Sequence, residues 1–169
     1  MLLEVLKGAE AEGATCETVA LPGGTIKPCK ACDVCHKKGI CPQKDDFEDL
    51  KARIIASDGV VLASPNYIFS VSAQLKALMD RCCGVVHCLG FEGRYGAAVV
   101  TSGGGDEQPI AEYMNQFLIA TGIKMIVKRE EEIHPERNKK IAASEMIIGS
   151  GPRGADFYGE MPRISAELA

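Results

Sequence analysis

Gly59-Val60-Val61-Leu62-Ala63, followed directly by Ser64-Pro65-Asn66-Tyr67-Ile68-Phe69-Ser70, carries the clearest fold signal in this chain. The first five residues are apolar without interruption and include two β-branched valines, which is typical of a parallel strand covered on both faces. The next seven residues have loop character, and from Val71 to Cys83 the apolar residues recur at helical spacing. A strand, a loop and a helix in this order predict one unit of an α/β domain.

Strands and helices alternate along the rest of the chain as well. A long loop, 22–45, interrupts the alternation, and beyond Glu130 the pattern weakens to one short helix near Asn138–Met146 within an atypical tail, 131–169. The alternation predicts helices wound around a parallel sheet, in a single domain that covers residues 1–169. The further predicted elements are a helix at Leu2–Glu12, a strand at Thr15–Leu21, a helix from Asp45 to Ser57, a strand at Tyr95–Thr101, a helix at Gln108–Ala120 and a strand at Ile123–Lys128.

The composition is that of an ordinary soluble globular protein, with 46% hydrophobic and 25% charged residues. The net charge of -4 argues against nucleic acid or an anionic membrane surface as a partner, because neither would be attracted. The apolar runs are far shorter than the roughly 20 residues of a membrane-spanning helix, and the first residues lack the pattern of a signal peptide. We therefore expect a cytoplasmic protein whose partners are small molecules or other proteins.

Four of the eight cysteines lie close together in the loop 22–45. Cys29, Cys32, Cys35 and Cys41 are separated by two, two and five residues, and a proline follows the last of them. Short gaps of this kind let several thiolates converge on the corners of one iron-sulfur cube. Lysines in the same loop favour thiolates and offset the negative charge of a cluster. The spacing therefore predicts a 4Fe-4S cluster bound by these four cysteines.

Two other interpretations of the cysteine loop remain open, namely a structural zinc site and thiols without any metal. Zinc sites usually pair two C-x-x-C units across a longer gap, so three cysteines at successive two-residue gaps favour the cluster. Cys82, Cys83 and Cys88 lie at or after a helix end, where neighbouring side chains point in different directions. We expect these three to be buried thiols without a ligand role, and Cys16 to belong to the core.

Two loops follow strands that should lie side by side, and ligands of open parallel sheets bind at the carboxyl ends of the strands. The first loop is Ser64–Ser70, in which Tyr67 and Phe69 can contact an aromatic ring system. The second loop is Thr101-Ser102-Gly103-Gly104-Gly105, whose backbone amides precede a helix and can donate to carbonyl or phosphate oxygens. All residues of both loops are candidate cofactor-binding residues, although tight turns without a ligand would have the same sequence features.

Taken together, these features resemble the iron-sulfur flavoprotein branch of the NADPH-dependent FMN reductase family. The resemblance extends over roughly Leu2 to Val127, and the combination is far more specific than any one motif. The segments that carry it are Pro28-Cys29-Lys30-Ala31-Cys32 through Gly39-Ile40-Cys41, the helix start at Asp45-Asp46, Ser64-Pro65-Asn66-Tyr67, Ser70-Val71-Ser72-Ala73-Gln74-Leu75-Lys76-Ala77-Leu78-Met79-Asp80-Arg81, and the glycines after Thr101-Ser102.

The resemblance implies a flavodoxin-like three-layer fold and an oxidoreductase that carries FMN at the strand ends and a 4Fe-4S cluster near the flavin. Electrons would pass from a reduced donor, such as ferredoxin or NAD(P)H, to a small acceptor such as an oxygen species or a quinone. Tyr67 and its neighbours would flank the isoalloxazine ring, and Ser102 to Gly105 would hold its polar edge. Neighbouring subunits of a homodimer or homotetramer would bring cluster and flavin close to each other.

One departure from the family concerns the beginning of the sequence. Family members begin with a strand and a Gly/Ser-rich loop that wraps the FMN phosphate, whereas this chain begins at the helix that follows them. We therefore expect the first, central strand of the sheet and the phosphate loop to be absent. Two rival functions stay open: a cluster-less NAD(P)H-dependent FMN or quinone reductase of the same fold, and a non-enzymatic binding module stabilised by zinc.

Overall fold

A computed structural model describes residues 2–105 and 107–125, together with the backbone of one strand at 145–150. Most elements lie where the sequence places them, with boundaries that differ by one or two residues. They are α1 (Leu2–Ala11), β1 (Thr15–Ala20), α2 (Val34–Lys38), α3 (Phe47–Ala56), β2 (Gly59–Pro65), α4 (Ala73–Arg81), α5 (Cys83–Cys88), β3 (Tyr95–Thr101), α6 (Glu107–Ala120), β4 (Lys124–Met125) and β5 (Glu145–Ser150).

The strands form one sheet in the order β1-β5-β2-β3-β4. Strand β2 pairs in parallel with β3, and β3 pairs in parallel with β4. Strand β5 is antiparallel to both of its neighbours, so β1 and β2 run in the same direction. The predicted parallel α/β sheet is therefore confirmed for β1 to β4, whose carboxyl ends all lie at one edge, and β5 is an antiparallel addition that the sequence pattern did not predict.

Strand β5 occupies the central position of the sheet, between β1 and β2. Its register places Ile147 opposite Thr18 of β1 and opposite Val61 of β2. A flavodoxin-like sheet has its first strand between the second and the third, and in this sheet β5 occupies the corresponding position. The helix predicted at Asn138–Met146 is wrong at its end, because residues 145 and 146 belong to β5; residues 138–144 lie outside the described part of the chain.

Two apolar clusters on opposite faces of the sheet define the three layers. The alternation of side chains along β2 sends Leu62 to one face and Ala63 to the other. On the smaller face, Leu2 and Leu6 of α1 lie one helical turn apart and pack against Ala63. The larger cluster is built mainly from helices α3 to α6, and its most buried members include Phe47, Leu50, Ile54, Leu75, Leu78, Phe91, Met114 and Leu118.

The helix predicted from Val71 to Cys83 is shorter than expected. The Ser72 hydroxyl accepts a hydrogen bond from the backbone N–H of Leu75 at 3.3 Å, so α4 begins at Ala73, and it ends at Arg81. A second helix, α5, then occupies residues predicted to be irregular, because Gly84 and two β-branched valines weaken its helical signal. Within the described residues, no helix combines the length and the apolar character that crossing a membrane requires.

Candidate functional site

Three loops leave the same edge of the sheet, because β1, β2 and β3 share one direction. The loop after β1 is the cysteine loop, the loop after β2 is Ser64–Ser70, and the loop after β3 is Thr101–Gly105. The two candidate cofactor loops are neighbours, since β2 and β3 pair directly, whereas β5 separates the cysteine loop from them by one strand. The three loops therefore begin at one edge of the sheet, and farther along its loop Cys35 packs against Gly84 of α5.

The cysteine loop is closed at its base by a buried ion pair between Asp45 and Arg81, whose side chains are 3% and 1% exposed. The Arg81 guanidinium donates to both carboxylate oxygens of Asp45, at 2.7 and 3.0 Å, and to the backbone oxygen of Lys27 at 2.9 Å. Asp45 also accepts from the backbone N–H groups of Lys27 (2.9 Å) and Phe47 (3.3 Å). These hydrogen bonds, led by that from Arg81, lower the pKa of Asp45 to about 2.

The prediction that Asp45 and Asp46 begin a helix is refined by this geometry. Helix α3 begins at Phe47, and Asp46 at its N-cap makes no hydrogen bond to the helix through its side chain. Asp45 binds the N–H of Phe47 instead. The carboxylate that starts the helix is therefore the same one that fixes the loop to α4.

The four loop cysteines differ in exposure: Cys29 and Cys32 are exposed, whereas Cys35 and Cys41 are half-buried. Ala31 and Asp33 have positive φ angles of 51° and 61°, while the residues next to them in the run have negative φ. Alternation of this kind turns successive backbone N–H groups toward one side, as in the concave anion sites of many iron-sulfur proteins. The N–H of Ala31 already points at the Cys29 sulfur, at 3.4 Å.

Cys41 lies near a positive charge, and hydrogen bonds hold the backbone at Cys41 and just before it. Its backbone N–H donates to Oε1 of Glu48 at 2.6 Å, and the Lys51 ammonium donates to the backbone oxygen of Gly39 at 3.2 Å. Burial by itself lowers the pKa of Arg81, whereas the hydrogen bonds and charges of Asp45 and Cys41 raise it. The net effect is a raised pKa of Arg81. Arg81 therefore places a positive charge close to the Cys41 side chain.

The four loop sulfurs do not converge to the spacing of a single-ion site. In the described part of the chain, only His36, Cys83 and His87 place three ligand atoms within 4.8 Å of one another. A cubane cluster binds each thiolate through a different iron, so its ligand sulfurs are farther apart than those around one zinc ion.

The two strand-end loops are joined by Asn66. Its backbone N–H donates to the backbone oxygen of Thr101 at 2.7 Å, and its side-chain amide donates to the backbone oxygen of Gly105 at 3.2 Å. The Ser102 hydroxyl also donates to Gly105 and accepts from the N–H of Gly104. The buried Oδ1 atom of Asn66 has no hydrogen-bond partner within the described residues. The structure thus brings the predicted loops into direct contact.

The tip of the first loop exposes three apolar side chains. Tyr67, Ile68 and Phe69 are 61%, 91% and 77% exposed. Tyr67 and Ser70 exchange backbone hydrogen bonds of 2.9 and 3.1 Å, and the two residues between them have positive φ angles of 49° and 61°. A tight turn with two positive φ angles normally contains Asn or Gly, so Ile68 and Phe69 are strained there. Exposed apolar residues with a strained backbone are typical of a surface that binds a ligand or another protein.

The remaining predicted residues frame these two loops. Ser64 is buried, and its hydroxyl accepts a hydrogen bond from the N–H of Ser72 at 2.9 Å, which ties β2 to the start of α4. Pro65 is the last residue of β2 and lies opposite Thr101. A Cβ atom at Gly103, Gly104 or Gly105 would meet open space, so a ligand can approach this backbone closely.

The expectation for the other cysteines is confirmed in part. Cys82 is fully buried, and burial raises its pKa to about 12. Cys83 and Cys88 are exposed, so the prediction that they are buried thiols is wrong. It failed because it placed them in and after one long helix, whereas α5 turns both toward solvent. Cys16 is half-buried against the smaller apolar cluster, and burial followed by the charge of Glu10 raises its pKa.

Sequence reasoning also missed the grouping of Cys83 with His36 and His87. The Cys83 sulfur lies 3.3 Å from Nε2 of His36, and burial followed by the charges of Cys35 and Cys29 raises the pKa of Cys83. The four-residue spacing of Cys83 and His87 was a signal for one helix face. No local pattern could indicate that His36 joins them, since it is 47 residues from Cys83.

Comparison with known proteins identifies the family. Residues 1–136 match the family described as NADPH-dependent FMN reductase, and the chain belongs to this family. An iron-sulfur flavoprotein of Archaeoglobus fulgidus is 40% identical over 124 residues, which cover 73% of this chain and 56% of the relative. An iron-sulfur flavoprotein of Methanocaldococcus jannaschii is 34% identical over 122 residues, covering 70% and 63%. The match therefore spans less than two thirds of the length of either relative.

Among solved structures, a flavodoxin, WrbA-like protein from Agrobacterium tumefaciens is similar over 47% of this chain and 52% of that chain, with a TM-score of 0.43 and 21% identity. The flavodoxin-like arrangement of this chain rests on its own topology, in which β1 to β4 are parallel and helices cover both faces.

Proposed function

We propose that this chain is a redox flavoprotein that binds a 4Fe-4S cluster through Cys29, Cys32, Cys35 and Cys41, and FMN through the loops Ser64–Ser70 and Thr101–Gly105. The observation that carries the proposal is that all three loops begin at the same edge of the sheet. The family match and the iron-sulfur flavoprotein relatives support it. When bound, the cluster would supply one-electron transfer, and FMN would connect one-electron with two-electron steps.

The cysteine loop fits a cluster in two respects. Its φ angles alternate in sign at Ala31 and Asp33, and Arg81 supplies a fixed positive charge beside Cys41. Backbone N–H groups and a buried cation both stabilise a negative cluster and its thiolates. The exposure of Cys29 and Cys32 leaves one side of the loop accessible to a redox partner.

The strand-end loops fit a flavin. Tyr67 and Phe69 offer exposed aromatic faces for a planar ring, and the glycines at 103–105 leave room for close approach to backbone N–H groups. Asn66 holds the two loops together, so a ring between them would contact both. Binding would also cover apolar surface that the strained turn now exposes.

The electron donor in this proposal is a reduced partner such as ferredoxin or NAD(P)H, and the acceptor is a small molecule. A homodimer or homotetramer would bring the cluster of one subunit near the flavin of another, and the exposed turn at Tyr67–Phe69 is suited to such a contact. A cytoplasmic location is consistent with the eight cysteines, none of which forms a disulfide bond in the structure.

The decisive experiment is the determination of iron, sulfide, zinc and FMN in anaerobically purified protein, together with its visible spectrum. We expect about four irons and four sulfides per chain, with FMN, and loss of the cluster in Cys32→Ser. The matched control is Cys88→Ser, which replaces another exposed cysteine and should keep the iron. Zinc without iron would indicate a zinc-stabilised module, and FMN without iron would indicate a cluster-less reductase; either result overturns the proposal.

A further inference from the structure

The side chains of His36, Cys83 and His87 form a compact group outside the proposed cluster ligands. One ligand atom from each lies within 4.8 Å of the other two, and Nε2 of His36 is 3.3 Å from the sulfur of Cys83. Cys83 and His87 are four residues apart on α5 and therefore lie on one face of that helix. His36 reaches them from α2.

We propose that His36, Cys83 and His87 are the ligands of a mononuclear, zinc-class divalent metal ion, at a second site beside the cysteine loop. Two imidazoles and one thiolate are ligands that zinc and its neighbours in the first transition series prefer, and that magnesium and calcium do not. Bond lengths of about 2.0–2.3 Å in a tetrahedral site separate ligand atoms by about 3.4–3.6 Å. The spacing of His36 and Cys83 is already close to that value.

Asp33 supplies the outer contact that such a site requires. Its carboxylate contacts Nδ1 of His36, one helical turn away. A carboxylate on Nδ1 holds the proton there, leaves the lone pair of Nε2 free and fixes the direction of the ring. Nε2 of His36 is the atom that faces Cys83, so the metal-binding nitrogen and the orienting contact lie on opposite sides of the imidazole.

The two helices that carry the ligands contact each other directly through residues other than the ligands. A Cβ atom added to Gly84 would lie 3.1 Å from Cβ of Cys35, so α5 contacts α2 through a position without a side chain. The rings of His36 and His87 meet edge to face, with centroids 4.2 Å apart and an interplanar angle of 82°. The segments that carry the three ligands are thus already in contact, and the ligands are open to solvent from which an ion can enter.

With three protein ligands, the fourth position of a tetrahedral ion would be left to water or to a small ligand. A metal ion bound at this site would place a positive charge near Cys35, a proposed cluster ligand, because His36 follows Cys35 directly in α2. This second site does not depend on the proposed cluster, since none of its ligands is among the four loop cysteines.

The test uses purified protein of known iron content, treated to remove loosely bound metal and titrated with Co²⁺, whose spectrum reports thiolate and imidazole ligation. We expect one equivalent to bind with a thiolate-to-cobalt charge-transfer band, to be displaced by Zn²⁺, and to leave the iron content unchanged. Cys83→Ser and His87→Gln should abolish the band and weaken binding at least tenfold. Cys88→Ser, on the same helix, should bind Co²⁺ like the wild type.

Circular dichroism melts of the variants establish that they are folded. The proposal is overturned if the wild type binds no Co²⁺, if the band persists in Cys83→Ser and His87→Gln, or if Cys83→Ser loses its iron, because Cys83 would then serve the cluster. Iron-free wild type that binds one Co²⁺ through these three residues would refute the proposed cluster and support this site. The two proposals can therefore fail separately.

Discussion

Arg81 and Asp45, which are 36 residues apart in sequence, form a buried bidentate ion pair that joins both ends of the cysteine loop to helix α4. The carboxylate binds the backbone of Lys27 before the cysteines and of Phe47 after them. The guanidinium also lies over the Phe47 ring, 4.6 Å from its centroid. One pair of side chains thus closes the loop and supplies the positive charge next to Cys41.

Replacing Arg81 by methionine should destabilise the protein strongly. The substitution leaves the Asp45 carboxylate buried without its partner, which costs about 3–5 kcal/mol when a buried pair is broken on one side. Urea unfolding followed by circular dichroism measures the change. The control is Lys76→Met, which breaks the exposed pair with Asp80 on the same helix and should cost less than about 1 kcal/mol. Equal losses of unfolding free energy in the two variants would show that the buried Arg81 pair stabilises the protein no more than the exposed pair does.

The stability of the protein should fall in acid because of Asp45. Its pKa is about 2 in the folded protein, against 3.8 as the ordinary value. The stabilisation is therefore fully present well above pH 4, and it is lost as the pH falls from the unfolded pKa through the folded one. The shift corresponds to about 2 kcal/mol. As the pH is lowered, the free energy of unfolding of the wild type should fall by this amount more than that of Asp45→Asn, which has no carboxylate to titrate at this position. Parallel plots of unfolding free energy against pH for the two proteins would contradict the assignment.

Relief of backbone strain at the exposed turn should stabilise the protein without its cofactor. Ile68 has a φ of 49° and is β-branched, whereas asparagine tolerates this left-handed conformation. We expect Ile68→Asn to raise the free energy of unfolding of flavin-free protein by about 1 kcal/mol. Ile119→Asn is the control, because Ile119 is also an exposed isoleucine but lies in helix α6, where asparagine gives no gain. A loss of stability in Ile68→Asn would show that the turn is not strained.

Removal of the Phe69 ring should weaken flavin binding without affecting the fold. An aromatic contact and the apolar area that it covers are together worth roughly a tenfold change in the dissociation constant of FMN. Fluorescence titration of FMN measures this constant for Phe69→Ala and for Ile119→Ala, which truncates an exposed side chain elsewhere. The unfolding free energy of the flavin-free protein should change by less than about 0.5 kcal/mol in either variant. Unchanged FMN affinity in Phe69→Ala would remove this turn from the proposed flavin site.

Local patterns were sufficient to predict most of the helices and the parallel strands. The run Gly59–Ala63 and the run Tyr95–Thr101 both became strands, because uninterrupted apolar residues of this length are stable only when a sheet is covered on both faces. The spacing of the loop cysteines and the glycines after Thr101 are also visible without a structure. Helix α5 was not predicted, because its intrinsic helical signal is weak. In the folded protein, the packing of Gly84 against Cys35 holds this helix in place.

Amino-acid order alone therefore predicted the family and the alternation of elements and indicated the candidate cluster ligands, since these depend on residue types at short separations. Tertiary structure alone decided three other features. It inserted β5 antiparallel between β1 and β2, it paired Arg81 with Asp45, and it brought His36 to Cys83 and His87. Each of these contacts joins residues that are far apart in the chain, and such contacts form only when the packing of the whole domain outweighs the entropy lost in closing the intervening segments.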